Sequence, residues 1–288
     1  SSATTVMVVG FVNSKVMTLK QSIGVIMGAN IGTTITAWMV SLLGFKADIS
    51  ILAVPLMLLG FLLSNSKKDK NKNLGELVVG FSLLFLGLSF MKDSVPDLRQ
   101  TPEVLEFVKQ WSGYGFSSVL IFLGIGTVLT LILQSSSATM AITLIMLSMG
   151  WIPFNMACAM VLGENIGTTI TANIAAAVGN SSARRAALAH TVFNLFGVVW
   201  ALIAYPFLLK LVGVITSGIF GVPNPAALGF TVEVLTDANG LPIQTDSQTA
   251  ALYGLSMLHT LFNVINTCIL IWFIPFIEKL VCAIIKES

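Results

Sequence analysis

Hydrophobic and polar positions along the chain alternate in long blocks rather than single residues. Residues 118–133 and 140–151 carry no charge. Between them stands a run of small polar side chains, Gln134-Ser135-Ser136-Ser137-Ala138-Thr139. Further mainly apolar blocks cover residues 1–11, 21–43, 49–63, 74–91, 155–178, 186–209 and 249–276, the second and fifth of them interrupted by a polar, glycine-bearing run. About 20 apolar residues cross a bilayer as a helix, and the ten-residue alternation of a membrane barrel is absent from this sequence. The pattern predicts an all-α, polytopic membrane protein. Residues 116–133 and 138–151 read as two arms of a hairpin around the Gln-Ser-Ser-Ser turn. Lipid cannot hydrogen-bond four consecutive polar side chains, so they must face protein, water or a solute.

The polar pattern occurs twice. Ser1-Ser2-Ala3-Thr4 matches Ser136-Ser137-Ala138-Thr139 at an offset of 135 residues. At the same offset, the stretch 28–37, Gly-Ala-Asn-Ile-Gly-Thr-Thr-Ile-Thr-Ala, matches 163–172, Gly-Glu-Asn-Ile-Gly-Thr-Thr-Ile-Thr-Ala. Two motifs at one fixed offset mark an internal duplication. The apolar residues between them diverge while the Ser, Thr, Asn and Gly residues match, which points to a solute site rather than to packing. The predicted organisation is a first repeat with its following spans at 1–91, an interfacial linker at 92–115, and a second repeat with its following spans at 116–288. The first repeat opens inside its own Ser run. A Gln, a Ser and an apolar arm are therefore expected to precede Ser1 in the complete protein.

Composition agrees with the pattern. The 288 residues are 55% hydrophobic and 10% charged, against about 25% charged in soluble domains. Cys158, Cys268 and Cys282 lie in or beside apolar blocks without a pairing pattern and read as packing residues. The basic residues set an orientation. With the Lys67–Lys72 loop, Arg184-Arg185 and the C-terminus cytoplasmic, every crossing alternates and the basic-free stretch 212–247 lies outside. Lys46, Lys92, Arg99, Lys109 and Lys210 fall on the outer side. The two hairpins then enter from opposite faces, so the repeats are inverted. A parallel repeat would put the Lys-rich loop and Arg184-Arg185 on opposite sides. Val104, Leu105, Phe107, Val108 and Trp111 suit a short amphipathic helix at the interface.

Inverted repeats with broken helices near the midplane are a general plan of secondary transporters. Gly28, Gly32, Gly163 and Gly167 are expected to let the two motif helices unwind. Freed N–H groups would bind an anion, and freed carbonyls with Ser, Thr and Asn oxygens would bind Na⁺. Neither motif region contains Lys or Arg, so a multivalent oxyanion could enter only with cations. Glu164 is the carboxylate placed deep in a span, and its repeat partner is Ala29. It reads as a cation ligand or as an acceptor for the proton of a protonated oxyanion, with a structural Glu as the bland alternative.

This doubled pattern resembles the type II sodium-dependent phosphate cotransporters and their bacterial relatives, the Na⁺/Pi cotransporter family. The resemblance covers residues 1–37 and 134–172 and the spans between and after them. It implies Na⁺-coupled phosphate symport by alternating access, with Na⁺ as coupling ion and no other cofactor. It implies phosphate contacts from Ser1, Ser2, Gln134, Ser135, Ser136, Ser137, Asn30 and Asn165. Thr33, Thr34, Glu164, Thr168 and Thr169 are the expected Na⁺ ligands. The expected partners are phosphate, sodium and the plasma-membrane bilayer, with no nucleic acid. A homodimer and a C-terminal PhoU-like domain beyond Ser288 are further partners that such a protein can have. The large Cys-bearing loop of the animal members has no counterpart in 92–112. Without the resemblance the substrate stays open among small anions, and a phosphate sensor with a transporter fold is a second class. A Ser hydrolase lacks support, because neither His lies in a hairpin and no Gly-x-Ser-x-Gly elbow occurs. His190-Thr191-Val192-Phe193-Asn194 recurs as His259-Thr260-Leu261-Phe262-Asn263. Both copies read either as a lining of the solute path or as helix-to-helix hydrogen bonding, the second being preferred here.

Overall fold

The computed structural model describes residues 2–45, 49–94, 106, 110–236 and 242–286. It is almost wholly helical. The helices are α1 (Ser2–Asn13), α2 (Leu19–Leu43), α3 (Ile49–Ser64), α4 (Asp69–Ser94), α5 (Phe116–Leu133), α6 (Ser136–Ser148), α7 (Phe154–Ala176), α8 (Ser181–Ile203), α9 (Tyr205–Phe220), α10 (Asp246–Leu270) and α11 (Ile274–Ile284). A 3₁₀ turn, Ile271–Phe273, joins the last two. Leu235–Thr236 and Pro242–Ile243 form a two-residue antiparallel ladder in the loop before α10. Among the described residues five helical stretches are long and apolar enough to cross a membrane, including Leu19–Leu43, Phe116–Leu133 and Ser181–Ile203. Large apolar side chains such as Ile132, Ile203, Phe207 and Trp272 are exposed, as a lipid-facing surface requires. The protein is a polytopic membrane protein.

Several expectations need correction. The Lys67–Lys72 loop is helical from Asp69, and the basic-free stretch 212–247 is helical up to Phe220. The single span predicted at 186–209 is two helices, parted at Ala204. The interfacial helix expected around Val104–Val108 lies outside the described residues, as does Ser1. The three cysteines are free.

The duplication extends to element boundaries. Shifted by 135, the starts of α6, α7 and α9 fall at residues 1, 19 and 70, within one residue of where α1, α2 and α4 begin.

The chain divides into two units, Met39–Leu105 and the remainder. In the smaller one, α3 and α4 form a hairpin closed at small residues. A Cβ on Gly75 would lie 2.3 Å from the Ser64 amide nitrogen, so only a glycine fits there. The larger unit contains the duplicated motifs. At its centre α5 and α7 lie side by side, parallel, with α6 returning against both.

Candidate functional site

The predicted unwinding of the motif helices is not observed. α2 and α7 are continuous α-helices through Gly28–Thr34 and Gly163–Thr169. The glycines of α7 serve close packing instead. A Cβ on Gly163 would fall 2.0 Å from the Leu123 carbonyl oxygen, and one on Gly167 2.7 Å from that of Thr127. Gly126 meets the Met160 carbonyl in the same way at 2.2 Å. The polar side chains also favour an intact helix, because they are satisfied on its own backbone. Thr168 Oγ1 donates to the Glu164 carbonyl at 2.8 Å, Thr169 Oγ1 to Ile166 at 2.8 Å, and Asn165 Nδ2 to Val161 at 2.8 Å. In α2, Thr33 donates to Ala29, Thr34 to Ile31 and Asn30 to Ile26. A hydroxyl that has given its proton to the helix retains only lone pairs, which suit a cation.

The helix ends available to an anion are therefore those at the Ser runs. Gln134 takes a left-handed conformation, φ 52°, which stops α5. Ser135 then caps α6, its hydroxyl accepting from the Ala138 amide. The N–H groups of Ser136 and Ser137 open the helix, where no earlier turn supplies acceptors and the macrodipole is positive. Ser136 is buried, Ser135 and Ser137 half-buried, and Gln134 exposed.

α6 is fastened to its neighbours by hydroxyls. Thr130 Oγ1 donates to Thr139 Oγ1 at 3.1 Å, and Thr143 Oγ1 donates to Glu164 Oε1 at 2.8 Å. Thr127 Oγ1 reaches the Gly163 carbonyl at 3.0 Å. Glu164 is 1% exposed, and its Oε2 has no partner among the described residues. Sequence reasoning missed Thr143, and the contacts that Thr139 and Thr130 make. Their signal was a Thr at helical spacing along each arm, visible only once the arms were known to face α7.

The two Ser runs approach α7 from opposite directions. α6 runs antiparallel to α7, with Thr143 opposite Glu164. α1 runs parallel to α7, with Val9 and Val12 packed against Ala172 and Ala176, and both helices end at the Asn13–Asn180 joint. At about 1.5 Å per residue, Ser136 and Ser2 then fall at depths near Thr171 and Ile166 of α7, roughly 8 Å apart. Asn165, Thr168 and Thr169, all buried, occupy that stretch. From α2, Asn30 and Thr34 are buried as well. That helix runs antiparallel to α10, with Ile23 and Met27 in one cluster with Leu270 and, nearer its other end, the Ser256 hydroxyl donating to the Ala37 carbonyl and Trp38 Nε1 to Thr260 Oγ1.

The Na⁺/Pi-cotransporter family profile matches residues 1–93 and 106–221. The chain belongs to the Na⁺/Pi-cotransporter family. It is 36% identical over 216 residues to the uncharacterized protein YqeW of Bacillus subtilis, covering 74% of this chain and 66% of that one. It is 30% identical over 208 residues to YjbB of Escherichia coli, provisionally named an inorganic phosphate export protein, covering 72% of this chain and 36% of that one. It is 40% identical over 98 residues to human sodium-dependent phosphate transport protein 2C, covering 32% of this chain and 16% of that one. The matches thus span less than two thirds of the relatives' own lengths. No solved structure matches the chain.

Proposed function

We propose that the chain is the transport core of a Na⁺-coupled phosphate symporter built on two inverted repeats and working by alternating access. The observation that carries this reading is the meeting of two helix starts at duplicated Ser runs, from opposite directions, over one buried polar stretch that contains no Lys or Arg. Helix N-termini and hydroxyls can hold an oxyanion there. Without fixed positive charge the anion needs cations beside it, because an ion deep in a membrane costs at least ~3 kcal/mol. In this reading Ser1, Ser2, Gln134, Ser135, Ser136, Ser137, Asn30 and Asn165 contact phosphate. Thr33, Thr34, Thr168, Thr169 and Glu164 supply oxygens to Na⁺. The opposite directions of α1 and α6, which correspond under the 135-residue shift, support the inversion.

The test is uptake of labelled phosphate by proteoliposomes holding the full-length protein, with and without an inward Na⁺ gradient. Sulfate serves as competitor and Ser136→Ala as control. Na⁺-dependent uptake that is lost in the variant and indifferent to sulfate is expected. No flux under any gradient would replace transport with sensing, and block by sulfate would replace the substrate. A second reading, phosphate export, is favoured by the name of the Escherichia coli relative. Efflux from phosphate-loaded vesicles without an outward Na⁺ gradient would select it.

A further inference from the structure

The interface of α1, α7 and α8 changes character along its length. Near the Asn13–Asn180 joint it is made of Val9, Val12, Ala172, Ala176, Ala183 and Ala186. One turn deeper, each of the three stripes turns polar. Counting back by fours and threes, Val12 and Val9 lead to Thr5 and Ser2. Ala176 and Ala172 lead to Thr169 and Asn165. Counting forward on α8, Ala183 and Ala186 lead to His190 and Asn194. Residues so spaced share one helix face. From the joint, Thr5 and Ser2 lie about 12 and 17 Å along α1, and His190 about 15 Å along α8. His190 therefore faces the first turns of α1.

Thr5, His190 and Asn194 are each 0% exposed. Thr5 Oγ1, both imidazole nitrogens of His190 and Asn194 Oδ1 have no hydrogen-bond partner among the described residues. The Asn194 amide already donates to the His190 carbonyl at 3.0 Å, which leaves its oxygen bare. Buried polar groups are normally paired, and four orphaned atoms within about 9 Å of one another along the helix axes point to a polar occupant.

The second copy of the motif repeats the arrangement. On α2, Met27, Asn30, Thr34 and Ala37 share a face, and Ala37 meets Ser256 of α10. The antiparallel run puts Thr34 at the depth of His259 and Asn30 at that of Asn263. Here too the Asn amide donates to the His carbonyl, at 2.9 Å, while Asn263 Oδ1 and His259 Nδ1 lack partners among the described residues. Each duplicated Asn-Ile-Gly-Thr-Thr helix is thus faced by one His-x-x-x-Asn pair, although α8 and α10 are not repeats of one another under the 135-residue shift.

We infer that the two His-x-x-x-Asn pairs are the opposite wall of the ion site. His190 donates through an imidazole N–H to an oxygen of the oxyanion held at the α1 end, and Asn194 and Asn263 offer bare oxygens to the accompanying cations. This rests on the proposed phosphate and Na⁺ reading and deepens it. It also reverses the structural role preferred for this motif from sequence.

The experiment uses the full-length protein in proteoliposomes. His190→Leu is expected to raise the phosphate KM at least tenfold, and His190→Gln, which keeps an N–H, to restore most of it. Asn194→Leu and Asn263→Leu are expected to raise the half-saturating Na⁺ concentration severalfold. Thr5→Cys, in a background lacking Cys158, Cys268 and Cys282, gives a readout that does not depend on folding of the His variants. A small membrane-permeant thiol reagent should label it, and phosphate with Na⁺ should slow the labelling while sulfate does not. Unchanged KM values together with labelling that ignores phosphate, or no labelling, would overturn the inference and leave the phosphate reading standing. Absence of phosphate transport by the unsubstituted protein would overturn both.

Discussion

Glu164 shows how one substitution outside an apolar pattern becomes informative. The repeat supplies Ala29 at the equivalent position, so the carboxyl is not needed by the fold common to both halves. It is buried on α7 with one oxygen held by Thr143 and the other without a partner among the described residues. Glu164→Gln should keep the bond from Thr143 while removing the charge. A changed Na⁺ dependence of transport, read as the half-saturating Na⁺ concentration, is the expected outcome, and unchanged coupling would remove Glu164 from the cation site. Thr143→Val is the complementary change, with nearly the same volume and no hydroxyl. It should cost about 1–3 kcal/mol, seen as a lower melting temperature in detergent, and Thr143→Ser should recover most of it. Glu164 and the Thr and Asn residues of the doubled motif were legible in the sequence because they break apolar runs. Thr143 was not, since a single Thr in an apolar arm says nothing about which helix it faces.

At the scale of elements, the motif glycines were assigned the wrong physical task from sequence. Both unwinding and close packing call for a residue without Cβ, and a string of letters does not distinguish them. Threonine hydroxyls bonded to the i−3 and i−4 carbonyls favour the intact helix, and the neighbouring backbone of α5 needs the space. Two glycines on α5 test this. Gly126 would set a Cβ 2.2 Å from the Met160 carbonyl oxygen, while Gly124 has nothing within 4 Å. Gly126→Ala should therefore destabilise by about 1–3 kcal/mol through forced separation of α5 from α7. Gly124→Ala should be neutral or stabilise by up to about 1 kcal/mol through helix propensity. Thermal unfolding of the two variants side by side decides, and equal effects would refute the packing role. The Ser turn was placed correctly but drawn too long, since Ser136 and Ser137 already belong to α6; polar residues between apolar arms leave few other conformations. Its capping bond, from the Ala138 amide to the Ser135 hydroxyl, predicts a loss of about 1 kcal/mol for Ser135→Ala, measured in the same way.

For the whole molecule, the orientation rests on the basic residues and is open to direct test. Single cysteines at Lys68 and at Thr231, in a background without the native three, should react with an impermeant reagent from opposite sides of the membrane. Reaction from the same side would reverse the assignment of one loop. Composition, block hydropathy and the fixed offset of 135 determined by themselves that the chain is a helical membrane protein with a duplicated polar motif, because bilayer thickness and backbone hydrogen bonding leave few alternatives to a long apolar run. Only the tertiary structure decided which faces meet. The sequence contains Thr5 far from the His190–Asn194 motif and in unrelated surroundings. Parallel packing of α1 on α7, and its antiparallel packing on α8, brings Thr5 and His190 within about one turn in depth, with Asn194 one turn beyond. That outcome depends on helix direction and on the register of Val and Ala against Ala, and apolar contacts of this kind are too alike from one turn to the next to be read from composition or periodicity.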